Sequence, residues 1–285
     1  MTTTDLDQRR SSVRLPGVVP LSLSRTRLEL VSFFRERDAV VFIFAYPILM
    51  LAIFASVFGQ DGATAGGSGD EAVSFAQYFL PGMIATGMML TSFQALATSI
   101  AVERDDGSLK RLRATPLPPV VFFLGKIGQV LVVSVVQTGL LLAAGSLLFG
   151  IELPTTLGAW GTFGWVFVLG TAVGTVCGIG FSSVPRSGKS VSAIVIPVVL
   201  VLQFTSGVFF VFSDLPTWMQ RFSEVFPLKW MAQGMRSVFL PDGAEVSEVS
   251  GSWQHGPTAV ILVVWLILGL VVCLRTFRWR RRDDG

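Results

Sequence analysis

Six apolar runs divide this chain, at positions 39–58, 78–101, 120–149, 158–182, 191–212 and 257–274. A helix needs about 20 apolar residues to cross a bilayer core. The pattern therefore predicts an all-α, polytopic membrane domain over residues 39–274 with six transmembrane helices. The run at 120–149 is longer than one crossing requires, which predicts a tilted helix or one that extends past the membrane. The first run follows an Arg-containing polar segment and has no small-residue cleavage site after it, so it reads as a retained span and not a signal peptide.

The segments between the runs carry their own patterns. In the N-terminal segment, residues 1–38, positions 1–20 read as unstructured. Beyond them Leu23, Leu30 and Phe34 recur at helical spacing beside Leu28 and Val31, with Arg25, Arg27, Glu29, Arg35 and Arg37 at other angles. This predicts an amphipathic helix lying in the membrane interface, or else a simple positively charged anchor. Residues 59–74, rich in Gly, Ala and Ser, read as a flexible external linker. Residues 213–256 keep an apolar face in which Trp218, Phe222 and Val225 follow i, i+4, i+7. Pro216 suits a first helical turn and Pro227 breaks the pattern. Two short external helices are expected there, at or dipping into the outer interface, with Trp218, Trp230 and Trp253 as interfacial rings. Trp218, Phe222, Trp230 and Arg236 are candidates for an external gate or a structural cap. Residues 275–285 form a basic tail.

Composition agrees with a membrane protein: 51% of residues are hydrophobic, 14% are charged, and the mean hydropathy is +0.64. Outside the spans the basic residues number 7 before span one, 5 after span two including Lys126, 2 after span four and 5 in the tail. The opposite side carries only Arg221, Lys229 and Arg236. The positive-inside rule then puts both termini in the cytoplasm of a multi-pass plasma-membrane protein. The pI of 9.2 arises from residues at span ends, so anionic lipid headgroups are the expected partner and nucleic acid is not. Cys177 and Cys273 lie within spans and read as free thiols.

Several kinds of chemistry fail on inspection. Residues 183–190 end in Gly188-Lys189-Ser190 like a phosphate-binding loop. Ser183 stands where that motif needs Gly, and both flanks are spans instead of a strand and a soluble helix. His, Cys, Asp and Glu show no metal-ligand spacing, the single histidine, His255, reads as a solvated loop residue, and no nucleophile elbow is present. The spans hold almost no charge, Lys126 being the nearest case, which argues against a proton-driven carrier. Transport energy would come from another subunit. Gly170, Gly174 and Gly178 form overlapping GxxxG units, followed by Gly180, for close helix packing within the chain or between subunits. Gln94, Gln129, Gln137 and Gln203 need hydrogen-bond partners or a wet cavity. With Met88, Met89 and Phe93 in span two and Phe204, Phe209 and Phe210 in span five, Gln94 and Gln203 are candidates for a path for amphipathic cargo.

The charged segment after span two runs Glu103-Arg104-Asp105-Asp106-Gly107-Ser108-Leu109-Lys110-Arg111-Leu112-Arg113-Ala114-Thr115-Pro116-Leu117-Pro118. With the later Gly125-Lys126 it resembles the first cytoplasmic loop of ABC-2 type permeases of the daunorubicin-resistance kind. Ser206-Gly207-Val208-Phe209, Leu215-Pro216-Thr217-Trp218, Pro227-Leu228 and Arg236 resemble that family's end of span five and its external helices. The resemblance implies a non-catalytic permease that binds no cofactor itself and pairs with a separate ATPase carrying ATP and magnesium. Two permease copies, or two related ones, would complete the transporter. It further implies a coupling helix within residues 102–119, in which Glu103, Arg104, Asp105, Asp106, Gly107, Ser108, Leu109, Lys110, Leu112 and Arg113 contact the ATPase, Glu103 at the acidic position. Arg35, Glu36, Arg37 and Asp38 are implied as secondary contacts. A drug, antibiotic or lipid is the implied cargo, exported between spans one, two and five. A glycan exporter of the same family is one alternative, and a lipid-modifying membrane enzyme is another.

Overall fold

The computed structural model describes residues 16–58, 64–65, 73–185, 187–241 and 243–277. Helix α1 (Val18–Arg35) leads through an elbow at Glu36 into α2 (Arg37–Phe58), which is span one. Two-residue strands β1 (Thr64–Ala65) and β2 (Val73–Ser74) pair antiparallel within the linker. Span two is continuous over Phe75–Asp105. It comprises α3 (Phe75–Met89), a π-helical turn at Leu90–Ala95, and α4 (Leu96–Asp105). The short helix α5 (Ser108–Arg113) precedes α6 (Pro119–Phe149), span three, which starts on a proline where no intrahelical N–H is needed. Span four is α7 (Leu157–Phe181), and the fifth apolar run forms α8 (Gly188–Thr205). Helices α9 (Thr217–Glu224) and α10 (Pro227–Phe239) lie between it and α11 (His255–Thr276), the last span.

Five of these helices are long and apolar enough to cross a membrane, and α8 is not among them. The run at 191–212 was expected to be helical to its end, yet α8 stops at Thr205. Gly207 takes a left-handed φ of 69° and turns the chain. A Cβ there would meet Phe212 Cβ at 2.8 Å, so the turn requires glycine. Eighteen residues still rise about 27 Å, close to a bilayer core. At the N-terminus, helix begins at Val18, earlier than the expectation of an unstructured stretch to residue 20. Residues 1–15 and the basic tail beyond Phe277 lie outside the described residues, as do Arg186 and the side chain of Lys189.

Span two is the hub of the bundle. Met83, Met88, Phe93 and Ala97 all lie in the main core, together with Val166 and Val173 of α7 and Met231 and Met235 of α10. The GxxxG units do their packing inside the chain. A Cβ on Gly174 would fall 1.9 Å from Ser92 Oγ, and one on Gly178 would fall 2.9 Å from the Ser92 carbonyl, so α7 lies directly on the π turn. Span one contains Pro47, which cannot donate to the Ile43 carbonyl four residues before it. Gln137 Nε2 of α6 donates to that carbonyl at 2.7 Å, while Gln137 Oε1 accepts from Thr91 Oγ1 at 2.8 Å. One amide thus ties three spans and satisfies a carbonyl that has no water to turn to.

The segment after the fifth apolar run forms the two short helices expected on either side of the break at Pro227, and they differ in placement. Helix α9 is on the surface with Trp218, Phe222 and the following Val225 exposed. Helix α10 instead inserts into the bundle, buried at every residue but Ser237. Trp230 is therefore no interfacial ring. It is 6% exposed and donates Nε1 to the Glu224 carbonyl at 2.7 Å.

Candidate coupling site and cleft

The charged segment after span two forms the predicted short helix. Its start is set by Gly107, whose φ of 77° places it in the left-handed region. The Asp106 side chain accepts from the Ser108 N–H at 2.8 Å, satisfying one free donor of the first turn. Leu109 points inward, 1% exposed, into a cluster with Ile100, Phe122, Ile179 and Cys273, and Leu112 packs beside it. Arg104 is buried; Asp106, Lys110, Arg111 and Arg113 are exposed. The segment is thus an apolar peg driven into the bundle with a mainly cationic outer face.

Glu103 does not stand on that face. Lys126 of α6, 1% exposed, forms an ion pair with it and another with Glu29 of α1 at 2.7 Å. Lys126 Nζ also donates to Ser99 Oγ at 3.1 Å, and Ser99 in turn donates to Glu103 at 3.0 Å. Arg25 closes the group, 2.5 Å from Glu29 and 4.0 Å from Glu103. Two cations and two carboxylates balance, which is the condition under which burial of charge is tolerated. Sequence reading placed Glu29 merely among the polar positions of α1. The signal that could have found the group was a lone lysine within a predicted span, which needs a carboxylate partner.

The facing of α1 follows from that group. Its inward side carries Arg25 and Glu29, while Leu23, Leu28, Val31 and Phe34 are exposed. Its seat on span three is Gly125 and Gly128. A Cβ on Gly125 would lie 2.3 Å from Arg25 Cγ, and one on Gly128 would lie 2.4 Å from Thr26 Oγ1. Arg35, Glu36, Arg37 and Asp38 are all exposed at the elbow.

Between α1, spans one to three and α8 lies a cleft of about 750 Å³. Phe33, Phe42 and Leu90 give it an apolar wall, and Gln94, Thr98 and Gln129 give it polar points. Arg25, Glu29, Ser99 and Glu103 form one wall, so the ion group faces the cleft. Of the residues nominated as a cargo path, Gln94 lines this cleft. Met88, Met89 and Phe93 are packed in the core at 1–6% exposure. Gln203 is buried and accepts from Tyr46 Oη at 2.9 Å, joining α2 and α8. Phe204, Phe209 and Phe210 form a ring cluster, with centroids of 204 and 209 5.0 Å apart, in which Phe204 and Phe210 are exposed.

At the other end of the bundle, Arg236 is fully buried. Its Nε donates to Glu248 at 2.6 Å and its Nη1 to the Gly207 carbonyl at 3.2 Å. Lys229, 2% exposed, lies 3.6 Å from the Trp230 ring centre and donates to Gln233 at 2.6 Å. Burial lowers its pKa from the ordinary lysine value to about 8. Arg236 and Trp230 hold the insertion in place; Trp218 and Phe222 face outward.

Five helices long and apolar enough to cross a membrane, a pegged charged helix between spans two and three, and an inserted helix before the last span define a polytopic α-helical membrane protein. The ABC-2 type transporter family matches residues 23–240, and the chain belongs to that family. It is similar to the inner membrane transport permease YadH of Escherichia coli, 23% identical over 80% of this chain and 84% of the relative. It also resembles the probable multidrug ABC transporter permease YbhR of the same organism, 22% identical over 60% of this chain and 46% of the relative.

Proposed function

We propose that this chain is the permease subunit of an ATP-driven exporter, that a separate ATPase docks on α5, and that a second permease copy completes the transporter. The carrying observation is the build of α5. Leu109 locks it to spans two, three, four and six, so a push on its outer face displaces the bundle instead of bending a loop. Lys110, Arg111 and Arg113 present positive charge to the partner, and Arg35, Glu36, Arg37 and Asp38 flank it as secondary contacts. This end is then cytoplasmic, in keeping with the excess of basic residues there.

The cargo is a hydrophobic or amphipathic compound, entering at the cleft. Its volume falls in the range of small-molecule sites, and its walls mix aromatic, aliphatic and amide groups. Movement is outward, past Phe204 and Phe210, towards the inserted helix α10.

The test is reconstitution with the partner ATPase subunit. Replacing Gly107 by Val, or Arg111 and Arg113 together by Glu, should lower the permease-dependent ATP hydrolysis while leaving membrane insertion intact. Wild-type hydrolysis in both variants would remove the coupling role from α5.

A further inference from the structure

Three elements that a coupling movement has to shift together meet at one ammonium group. Lys126 has three N–H donors, and each has an acceptor from another element: Glu29 on α1, Ser99 on α4, and Glu103 at the end of α4. Anchoring α1 alone would need only one of them. The glycine seat at Gly125 and Gly128 brings α1 close enough for Glu29 to reach. The cleft is bounded on one side by α1 and on another by the lower part of span two. Those two walls cannot part at this point while the ammonium joins them.

We infer that Lys126 is a positioning residue that makes α1, the end of span two and span three move as one body when α5 is displaced. Its ion group carries motion of the coupling segment sideways into α1, so the cleft walls on α1 and span two shift together against the wall on α8. This rests on the coupling reading of α5 given above. Removing Lys126 leaves the buried Glu29 carboxylate facing that of the part-exposed Glu103 without the ammonium between them, a change that can prevent folding. A triple variant, Glu29→Gln with Glu103→Gln and Lys126→Met, removes the ion pairs and leaves only Arg25, part-exposed at the cleft wall, without a carboxylate. Lys126→Arg keeps the charge and its donors.

Spin labels report the movement in a background with Cys177 and Cys273 replaced by Ala. One pair, Val120→Cys with Leu274→Cys, follows the start of span three against the last span. A second pair, Leu28→Cys with Leu274→Cys, follows α1; all three sites are exposed. In the permease with its ATPase in nanodiscs, trapping with ATP and vanadate should shift both distances in wild type and in Lys126→Arg. In Lys126→Met and in the triple variant the Val120 distance should still shift and the Leu28 distance should not. If α1 follows in those variants, or fails to follow in wild type while Val120 moves, the inference is overturned. If neither distance shifts in wild type, the coupling reading of α5 fails instead. The permease alone then decides whether Lys126 holds α1. The Leu28 distribution should broaden in the triple variant, and an unchanged width refutes the role.

Discussion

Arg236 and Glu248 offer a sharp energetic test, because both are buried and each satisfies the other. Replacing Arg236 by Met keeps most of the apolar stem and removes the guanidinium. The carboxylate of Glu248, 7% exposed, then loses the donor it meets at 2.6 Å. Unit charges about 4 Å apart attract by roughly 4 kcal/mol at an effective dielectric of 20. Measured losses for breaking one side of a buried pair are about 3–5 kcal/mol. Arg236→Met is therefore expected to cost about 3–5 kcal/mol, and Glu248→Met a similar amount. The double variant strands no charge and loses mainly the bond to the Gly207 carbonyl, worth about 1 kcal/mol. Denaturant unfolding in mixed micelles, followed by circular dichroism, gives the four stabilities of the cycle. Single losses that simply add in the double variant, within about 0.5 kcal/mol, would refute the claim that the two groups act as a buried pair.

Other expectations follow from single contacts. Lys229→Met should raise stability near neutral pH, because a lysine held at about 8 instead of 10.5 disfavours the folded state by roughly 3 kcal/mol below pH 8. The folded state binds fewer protons, so wild-type stability rises as pH climbs from 8 to 10.5. The gain from Lys229→Met should shrink over the same window; a pH-independent gain contradicts the assignment. Gln137→Leu should cost about 1–3 kcal/mol by leaving the Ile43 carbonyl and the Thr91 hydroxyl unmet; unfolding at wild-type denaturant concentration would count against the bridge. Gly128→Leu should lift α1 from span three, read as faster protease cleavage within α1; unchanged cleavage would mean the seat is not tight. Gly107→Ala should cost about 1–2 kcal/mol, because an alanine is strained at a φ of 77° although its side chain would meet nothing.

What sequence alone determined was whatever depends on neighbours along the chain. Apolar runs placed the five long helices within a few residues, and the fifth run only in part, because a helix in lipid satisfies its backbone bonds internally and needs only enough apolar length. Gly107 and Pro116 likewise delimit α5 through local backbone geometry; that Leu109 turns into the bundle and not towards a partner was set by the fold. Tertiary structure decided what depends on distant partners. Lys126 and Glu29 are 97 positions apart, and only their meeting explains why α1 turns Arg25 and Glu29 inward and leaves Leu23 and Phe34 exposed. Trp230 and Arg236 read locally as parts of an external helix, yet α10 enters the bundle because Gly234 allows Val166 close and Glu248 neutralises the arginine. Gln203, a candidate cargo contact by its place in an apolar run, accepts from Tyr46, 157 positions away. The physical reason is common to all three. Apolar burial is roughly proportional to area and can be estimated from a local pattern, whereas a buried polar group is tolerated only beside a particular partner, which the fold alone brings near.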